Sequence, residues 1–319
     1  MFTRLDTGQN VYHFLMDCGE ACLYSIGKGL IQEIDHLFLS HCHMDHLCGF
    51  DGIFRHLYSR PRPFEIWGPS DFIFMMSCRF RSFAWNLVEN KQGEMRVHQI
   101  MSNEIHCASF FCRESFSKKH PFPSQKFTGR IIEHPDYTVD CVILDHKIDS
   151  IAYLVSETNR ININTDIMET MGLKAGKWCA DLKNNALPDD TILAIEGKDY
   201  SIGMLRKKLL EMKKGGKIAY VTDFILNEKN HSKLIPFLEK ADEVVMECSY
   251  RDSEIELAKK NYHITVTEAA SLAKEAHVDR LTLFHISDRY HQKDRLEMLK
   301  DAQSIHPNTR FPPHWQVIP

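Results

Sequence analysis

The 319-residue chain lacks several features that would place it quickly. No apolar run approaches the roughly 20 residues of a membrane-spanning helix, and no basic stretch followed by a hydrophobic core opens the sequence. A cytoplasmic protein, with neither membrane span nor leader, is the expectation. Paired cysteines are lacking too. Ten are present, but they are scattered and none forms a C-x-x-C pair, so reduced thiols are expected rather than a disulfide framework. Nor is there an excess of positive charge: 39 Lys and Arg against 43 Asp and Glu leave a net charge of -4. That balance speaks against a chain that is basic overall, but RNA binding needs only a local basic surface. Two local patches exist, Arg206-Lys207-Lys208 with Lys213, Lys214 and Lys217, and Lys118-Lys119. Each reads first as a solvated face. Internal repeats and low-complexity tracts are absent.

What is present is a soluble globular composition, 43% hydrophobic and 26% charged, long enough to bury a substantial core. Within it stands one dense cluster, His41-Cys42-His43-Met44-Asp45-His46. An apolar run from Ile34 to Leu39 leads into it, and Gly49 and Gly52 follow it. A buried strand ending in a short loop is the natural reading. Imidazoles at alternate positions, His41 and His43, can point the same way from an extended backbone and clasp one cation. Cys42 then points the other way. Asp45 and His46 follow as the chain turns and can serve a second cation beside the first. A chance His-rich surface loop is the bland alternative, and its position directly after an apolar strand makes it the poorer one.

The cluster resembles the signature of the metallo-β-lactamase superfamily, and the segment LFLSHCHMDHLCGFDGIFRHL is similar to that of the ribonuclease Z branch, endonucleases that trim the 3′ ends of tRNA precursors. Other segments match in order. Asp17-Cys18-Gly19-Glu20 resembles the family's first turn, Leu144-Asp145-His146 its third metal motif, and Tyr220-Val221-Thr222-Asp223 its fourth, where the usual text is Gly-Asp-Thr. Phe284-His285-Ile286-Ser287 resembles the fifth. Met246-Glu247-Cys248-Ser249-Tyr250 and Tyr262-His263-Ile264-Thr265 resemble the loops that read His-Glu-Ala-Thr and His-Ser-Thr. The matches run from about residue 14 to about residue 290.

The resemblance implies an α/β fold, the αββα sandwich in which two mixed sheets are flanked by helices, formed by one domain over residues 1–319 with a short arm or insertion at about 165–200. It implies two divalent metal ions, zinc first and manganese as the alternative. His41, His43 and His146 would hold one, Asp45, His46 and His285 the other, and Asp223 would bridge them. Two cations about 3.5–4 Å apart can share a hydroxide that is a nucleophile at neutral pH. Asp45 could accept the proton of the attacking water. His263 is the candidate acid for the leaving oxygen, oriented by Glu247. Arg289 suits a substrate phosphate or a carboxylate partner equally. His36, His56, His98, His106, His120, His134 and His231 show no ligand spacing.

The implied function is hydrolysis of RNA phosphodiesters, with a tRNA precursor as partner and a homodimer as one assembly. Two departures weigh on it. Only 16 residues precede Asp17, so the family's opening strand and glycine-rich loop look shortened and the first strand pair is in doubt. In the arm, the Gly-Pro motif is replaced by Gly176-Lys177, which leaves an ordinary surface connection as an equal reading. The alternative is a same-fold hydrolase of a small molecule such as a cyclic nucleotide, lactone or thioester, lacking the tRNA-clamping arm. A catalytically silent scaffold is a third reading, opposed by the intact ligand set. Local pattern adds helices over 21–33 (broken at Gly27 and Gly29), from Phe50 to His56, over 71–88, 230–240 and 266–276. It adds strands at Phe64–Trp67, 95–112, 139–160 and Val244–Met246, and a capping box from Thr265 to Glu268.

Overall fold

The computed structural model describes residues 1–315 apart from 21, 25 and 89. It divides into two compact units, Met1–Ser156 with Lys217–Pro319, and Glu157–Gly216.

In the first unit, alternation along the strands builds a four-layer sandwich. One eight-stranded sheet follows the order Phe2–Asp6, Val11–Met16, His36–Phe38, Phe64–Gly68, Glu94–Ile100, Glu104–Phe111, His120–Pro121, with Gln125–Lys126 also paired to Glu104–Phe111. A seven-stranded sheet follows Thr309–Arg310, Arg280–Phe284, Glu243–Glu247, Lys217–Val221, Asp149–Glu157, Tyr137–Asp145, Arg130–Glu133. Both mix parallel and antiparallel pairs.

Successive side chains of a strand point to opposite faces, and the buried residues sort accordingly. Phe14, Met16, Phe38 and Trp67 of the first sheet meet Ile151, Tyr153, Tyr220 and Val245 of the second in the central layer. Their neighbours Leu15, Leu37, Leu39 and Ile66 turn outward against the helices Phe50–Leu57 and Phe72–Phe80. On the other side Ala152, Ala219, Val244 and Met246 pack against Glu228–Leu238, Val266–Glu275 and Gln292–Ile305. The sandwich of two mixed sheets flanked by helices is the expected one. Thr265 caps Val266–Glu275 as its spacing predicts: Glu268 N donates to the Thr265 hydroxyl, and Thr265 N donates to the Glu268 carboxylate at 2.8 Å.

Several local expectations need correcting. The first strand pair is complete: Phe2–Asp6 and Val11–Met16 pair antiparallel from Phe2 opposite Leu15 to Asp6 opposite Val11. A tight turn through Gly8, at φ 79°, replaces a longer loop. Over 21–33 the helix is confined to Lys28–Gln32, because Gly27 serves as its N-cap instead of interrupting it; residues 21 and 25 lie outside the described set. The helix within 71–88 ends at Phe80, and turns follow.

The second unit has its own apolar centre, formed by Met168, Leu173, Leu182, Ile195, Ile202, Leu205 and Leu209. Its frame is the strand pair Arg160–Ile163 with Leu210–Lys213, a hairpin Ile192–Ile195 with Lys198–Ser201, and helices Thr165–Thr170, Trp178–Lys183 and Ile202–Leu209. Arg206 is not a free cation there: its guanidinium bonds the carbonyls of Leu182, Asn184 and Leu187 and pairs with Asp189 at 2.5 Å. Among the described residues no helix is long and apolar enough to cross a membrane. All ten cysteines are free thiols.

Candidate metal centre

The loop that carries the histidine cluster is held by the turn that follows the neighbouring strand Val11–Met16. Asp17 adopts a left-handed φ of 52°, turning the chain so that Cys18 N donates to His46 O at 2.9 Å and Gly49 N donates to Cys18 O at 2.8 Å. The approach is too close for a side chain. A Cβ on Gly19 would lie 2.0 Å from Asp45 O, and one on Gly49 would lie 2.3 Å from Gly19 O. Glycine at both positions is a packing requirement.

Asp17 is buried, and its carboxylate is fully used. It accepts from Ser40 N and Ser40 Oγ at 2.7 Å each, from His46 Nδ1 at 2.7 Å and from Tyr220 OH at 2.9 Å. The Ser40 hydroxyl, having donated to Asp17, accepts from His41 Nδ1 at 3.0 Å. These bonds fix which ring nitrogen carries the proton. His41 and His46 aim their Nε2 atoms inward, and both Nε2 atoms are buried without a hydrogen-bond partner. Orphaned buried nitrogens are costly unless something is meant to bind them.

The second sheet supplies the other side. His146 follows the strand Tyr137–Asp145 and donates from Nδ1 to Tyr262 O at 2.7 Å, which frees its Nε2. Asp223 and His285, each just past a strand end, both take left-handed φ values, 49° and 54°. Such angles are uncommon outside glycine and aim the side chains inward. Asp223 becomes the hub: its carboxylate lies 3.5 Å from His41 Nε2, 3.4 Å from His46 Nε2, 3.6 Å from His146 Nε2 and 3.5 Å from His285 Nδ1. Asp45 lies 3.3 Å from His46 Nε2 and 3.5 Å from His285 Nε2. Three overlapping groups result, each with ligand atoms within 4.8 Å of one another: His41, His43, His146 and Asp223; Asp45, His46 and His285; and Asp223, Glu247, His263 and His285. The structure therefore brings together all seven residues named as ligands on the sequence.

The electrostatics follow from burial and from the carboxylates. Burial depresses His41 to a pKa of about 3, and burial also lowers His146, so both are neutral donors at neutral pH. Burial pulls on His46 and His285 too, but Asp17 lifts the first well above its ordinary value, and Asp223 with Asp45 lifts the second to about 8. Asp45 is held below the usual carboxylate range by its bonds to His285 and His46. Desolvation opposes ionisation of Asp223, yet the surrounding imidazoles keep it ionised. With no cation counted, carboxylates and imidazoles balance one another; a divalent cation would take the place of the shared protons.

Beside this lies the expected Glu247 and His263 pair. Glu247 is fully buried and accepts from Phe224 N through Oε1 and from His263 Nδ1 through Oε2, both at 2.8 Å. The departures from Gly-Asp-Thr around Asp223 now have reasons: the Thr222 hydroxyl donates to Asp223 Oδ1 at 2.6 Å, and Phe224 enters the core. Ile264, in place of serine, is also core. Arg289 is occupied by Glu254 at 3.1 Å and Ser287 at 3.1 Å, the carboxylate-partner alternative. Cys42 packs with the outer apolar layer. His98, His106, His120 and His231 pair with Glu65, Glu104, Glu114 and Glu275.

No family model matches the chain. Curated sequences do. A ribonuclease Z of Deinococcus radiodurans is 33% identical over 316 residues, spanning 99% of this chain and 94% of that protein. This chain belongs to the ribonuclease Z family. A ribonuclease Z of Enterococcus faecalis is 28% identical, spanning 96% of this chain and 86% of its own length. Among solved structures, the short form of human tRNase Z superposes with a TM-score of 0.50 at 17% identity, over 98% of this chain and 89% of that one. The metallo-β-lactamase-fold protein YhfI of Bacillus subtilis gives 0.53 at 15%, over 94% and 84%. These two likenesses show the fold.

The sequence reading missed the partners that orient the ligands in this ribonuclease Z family member. Asp17, Ser40, Tyr220 and the Tyr262 carbonyl have no role that spacing assigns, although each bonds a candidate ligand or its neighbour. Ser249, like Asp17, makes four contacts. Its hydroxyl lies 2.8 Å from Glu247 Oε2 and from His285 O, 3.1 Å from His285 Nδ1 and 3.3 Å from His263 Nδ1. Its only signal was its place two residues after a glutamate at a strand end.

Proposed function

We propose that this chain is a dinuclear metal-dependent phosphodiesterase that hydrolyses RNA, with the 3′ side of a tRNA precursor as its substrate. The observation that supports it most is the convergence of five imidazoles on one buried carboxylate, Asp223, with two of their buried nitrogens left without a hydrogen-bond partner and the Glu247–His263 pair alongside. His41, His43 and His146 would hold one cation and Asp45, His46 and His285 the other, with Asp223 between them. When bound, a divalent pair, zinc by the imidazole-rich donor set, would acidify a water to serve as nucleophile and would neutralise charge on the phosphate.

The chain's own residues do the rest. Asp45, whose side chain is the most exposed of the carboxylates here, takes a proton from the attacking water in this reading. Burial opposes a charge on His263, but Glu247 more than compensates and holds its pKa above the ordinary histidine value. The imidazole therefore carries a proton it can give to the leaving 3′-oxygen. Ser249 and Glu247 fix the ring, so its free Nε2 is the donor. Purified protein assayed with bis(p-nitrophenyl) phosphate and with a tRNA precursor carrying a 3′ trailer tests the reading. Cleavage of both is expected. Turnover of the chromogenic diester alone would replace the RNA reading with a small-molecule hydrolase, and turnover of neither by metal-loaded protein would remove catalysis altogether.

A further inference from the structure

A groove outside the metal centre has the chemistry of a nucleotide subsite. It lies on the outer face of the first sheet, beside the helix Phe72–Phe80, and encloses about 300 Å³. One wall is the helix face carrying Phe74 and Ser77, continued by Arg81 just past its end. The other is formed by Gln99, His106 and Phe110, which project outward from the strands Glu94–Ile100 and Glu104–Phe111, and the loop with Ser117 and Lys119 closes it.

Three observations set it apart from an ordinary surface crease. Arg81 and Lys119 are exposed, and among the described residues neither cation has a hydrogen-bond or ion-pair partner for its side chain; most other arginines here are committed to carboxylates or carbonyls. Phe74 is 70% exposed although it sits on a helix whose other aromatic residues are core. The charge is also one-sided along most of its length. Asp71 is the one carboxylate in the lining, at the end away from Arg81, and His106 has its own partner in Glu104 at 3.1 Å. Lys119 belongs to the Lys118-Lys119 pair that the catalytic account leaves without a role.

Its position relates it to the metal loop. The strands His36–Phe38, Phe64–Gly68 and Glu94–Ile100 are parallel neighbours, with Phe38 opposite Trp67 and Gly68 opposite Gln99. Their C-terminal ends share one edge of the sheet. The metal loop leaves the first of them, and Gln99 near the end of the third opens the groove, two strands or roughly 10 Å to the side. A single strand engaged at the metal centre can run across that edge and into the groove.

We propose that this groove binds single-stranded RNA flanking the scissile bond, with phosphates on Arg81 and Lys119 and a base stacked on Phe74. Unpaired cations tracking a backbone beside an exposed aromatic face are what single strands require. An acidic peptide would use the cations but not the ring. The inference rests on the RNA reading of the metal centre, and its test separates the two.

The experiment uses the metal-loaded full-length protein, with a fluorescein-labelled hexauridylate followed by anisotropy over a salt series, and bis(p-nitrophenyl) phosphate turnover measured in parallel. Variants are Arg81→Ala with Lys119→Ala, and separately Phe74→Ala; all three residues are solvent-exposed and none touches the metal centre. Unchanged chromogenic turnover reports an intact fold and centre. The double variant should bind the RNA more weakly, with its log Kd against log salt slope reduced by about 1.4, as for two lost phosphate contacts on a single strand. Phe74→Ala should weaken binding by about 5-fold with the slope retained, the signature of a lost stacking partner. Hexauridylate binding that is identical in wild type and both variants would overturn the groove and leave the RNA reading standing. Polyglutamate binding that depends on Arg81 and Lys119, with RNA binding that does not, would assign the groove to an acidic protein and overturn it as well. Absence of RNA binding and of precursor cleavage in wild type, with chromogenic turnover intact, would overturn the RNA reading and the groove together.

Discussion

The two sheets contribute to the candidate metal centre in different ways. The first sheet gives its candidate ligands from one six-residue loop, His41 to His46, braced from below by Asp17 and by glycines that admit backbone contact. The second gives His146, Asp223 and His285 from three separate strand ends spread over 140 residues of sequence, with Glu247 and His263 between the last two. Proximity in the chain does the assembling on one side. On the other it is done by strand order, left-handed turns at Asp223 and His285, and the carbonyl of Tyr262, itself at a left-handed φ of 60°. The lesson is that a compact motif announces a site, while the topology of a distant sheet completes it.

The sharpest way to break that symmetry is at the hub. Asp223→Ala should abolish metal retention on both sides and reduce bis(p-nitrophenyl) phosphate turnover by about 10³-fold, the several kcal/mol of charge stabilisation that a metal site supplies. Elemental analysis of the purified variant checks it, and retention of a full metal complement would remove Asp223 from the bridging role. Next comes the acid. His263→Ala should lower turnover of a poor-leaving-group diester such as RNA by about 10²-fold with metal content unchanged. Loss of metal in that variant would show His263 to be a ligand instead.

The brace under the first loop offers a smaller effect. Asp17→Asn keeps the shape but removes the charge that holds His46, and it should weaken metal affinity about 10- to 100-fold in a competitive chelator titration. Unaltered affinity would mean that the loop is positioned by its backbone bonds alone. Gly19→Ala tests that backbone: its Cβ would meet Asp45 O, and a loss of about 1–3 kcal/mol in denaturant unfolding is expected. Wild-type stability would show the close approach to be relaxed in solution.

The last effect, which vanishes at neutral pH, lies away from the site, in the strand that feeds the loop. His36 stacks on Phe38, accepts from Trp67 Nε1 at 3.2 Å and contacts Tyr137 OH at 3.3 Å. Burial lowers its pKa to about 4. An unfolded histidine takes its proton near 6.5, so between those values the unfolded state binds the extra proton and stability falls as pH drops. The contribution is at most about 3 kcal/mol, complete by pH 4, and His36→Gln should flatten the stability profile between pH 6.5 and 4. An unchanged slope would assign that pH dependence elsewhere.

Much of this was legible in the sequence for physical reasons. Ligand types at fixed short spacing, apolar runs before them and the capping pair at Thr265 and Glu268 are local signals, and the structure keeps them. The strand pair at Phe2–Asp6 and Val11–Met16 was not legible, because a tight turn at Gly8 joins it in place of a recognisable glycine-rich loop. The compact unit Glu157–Gly216 extends beyond 165–200 because its base is a strand pair, Arg160–Ile163 with Leu210–Lys213, whose partners lie fifty residues apart. Asp17, Ser40 and Ser249 were invisible as orienting groups, since a second partner for an imidazole has no spacing rule in sequence.

Metal stoichiometry tests the central claim most directly. Protein stripped with a chelator and titrated with zinc in a calorimeter should bind two equivalents per chain. His146→Ala should lose one of the two and keep the Asp45, His46 and His285 side intact. A wild-type protein that binds no zinc, or a His146→Ala variant that still binds two equivalents with unchanged affinity, would contradict it.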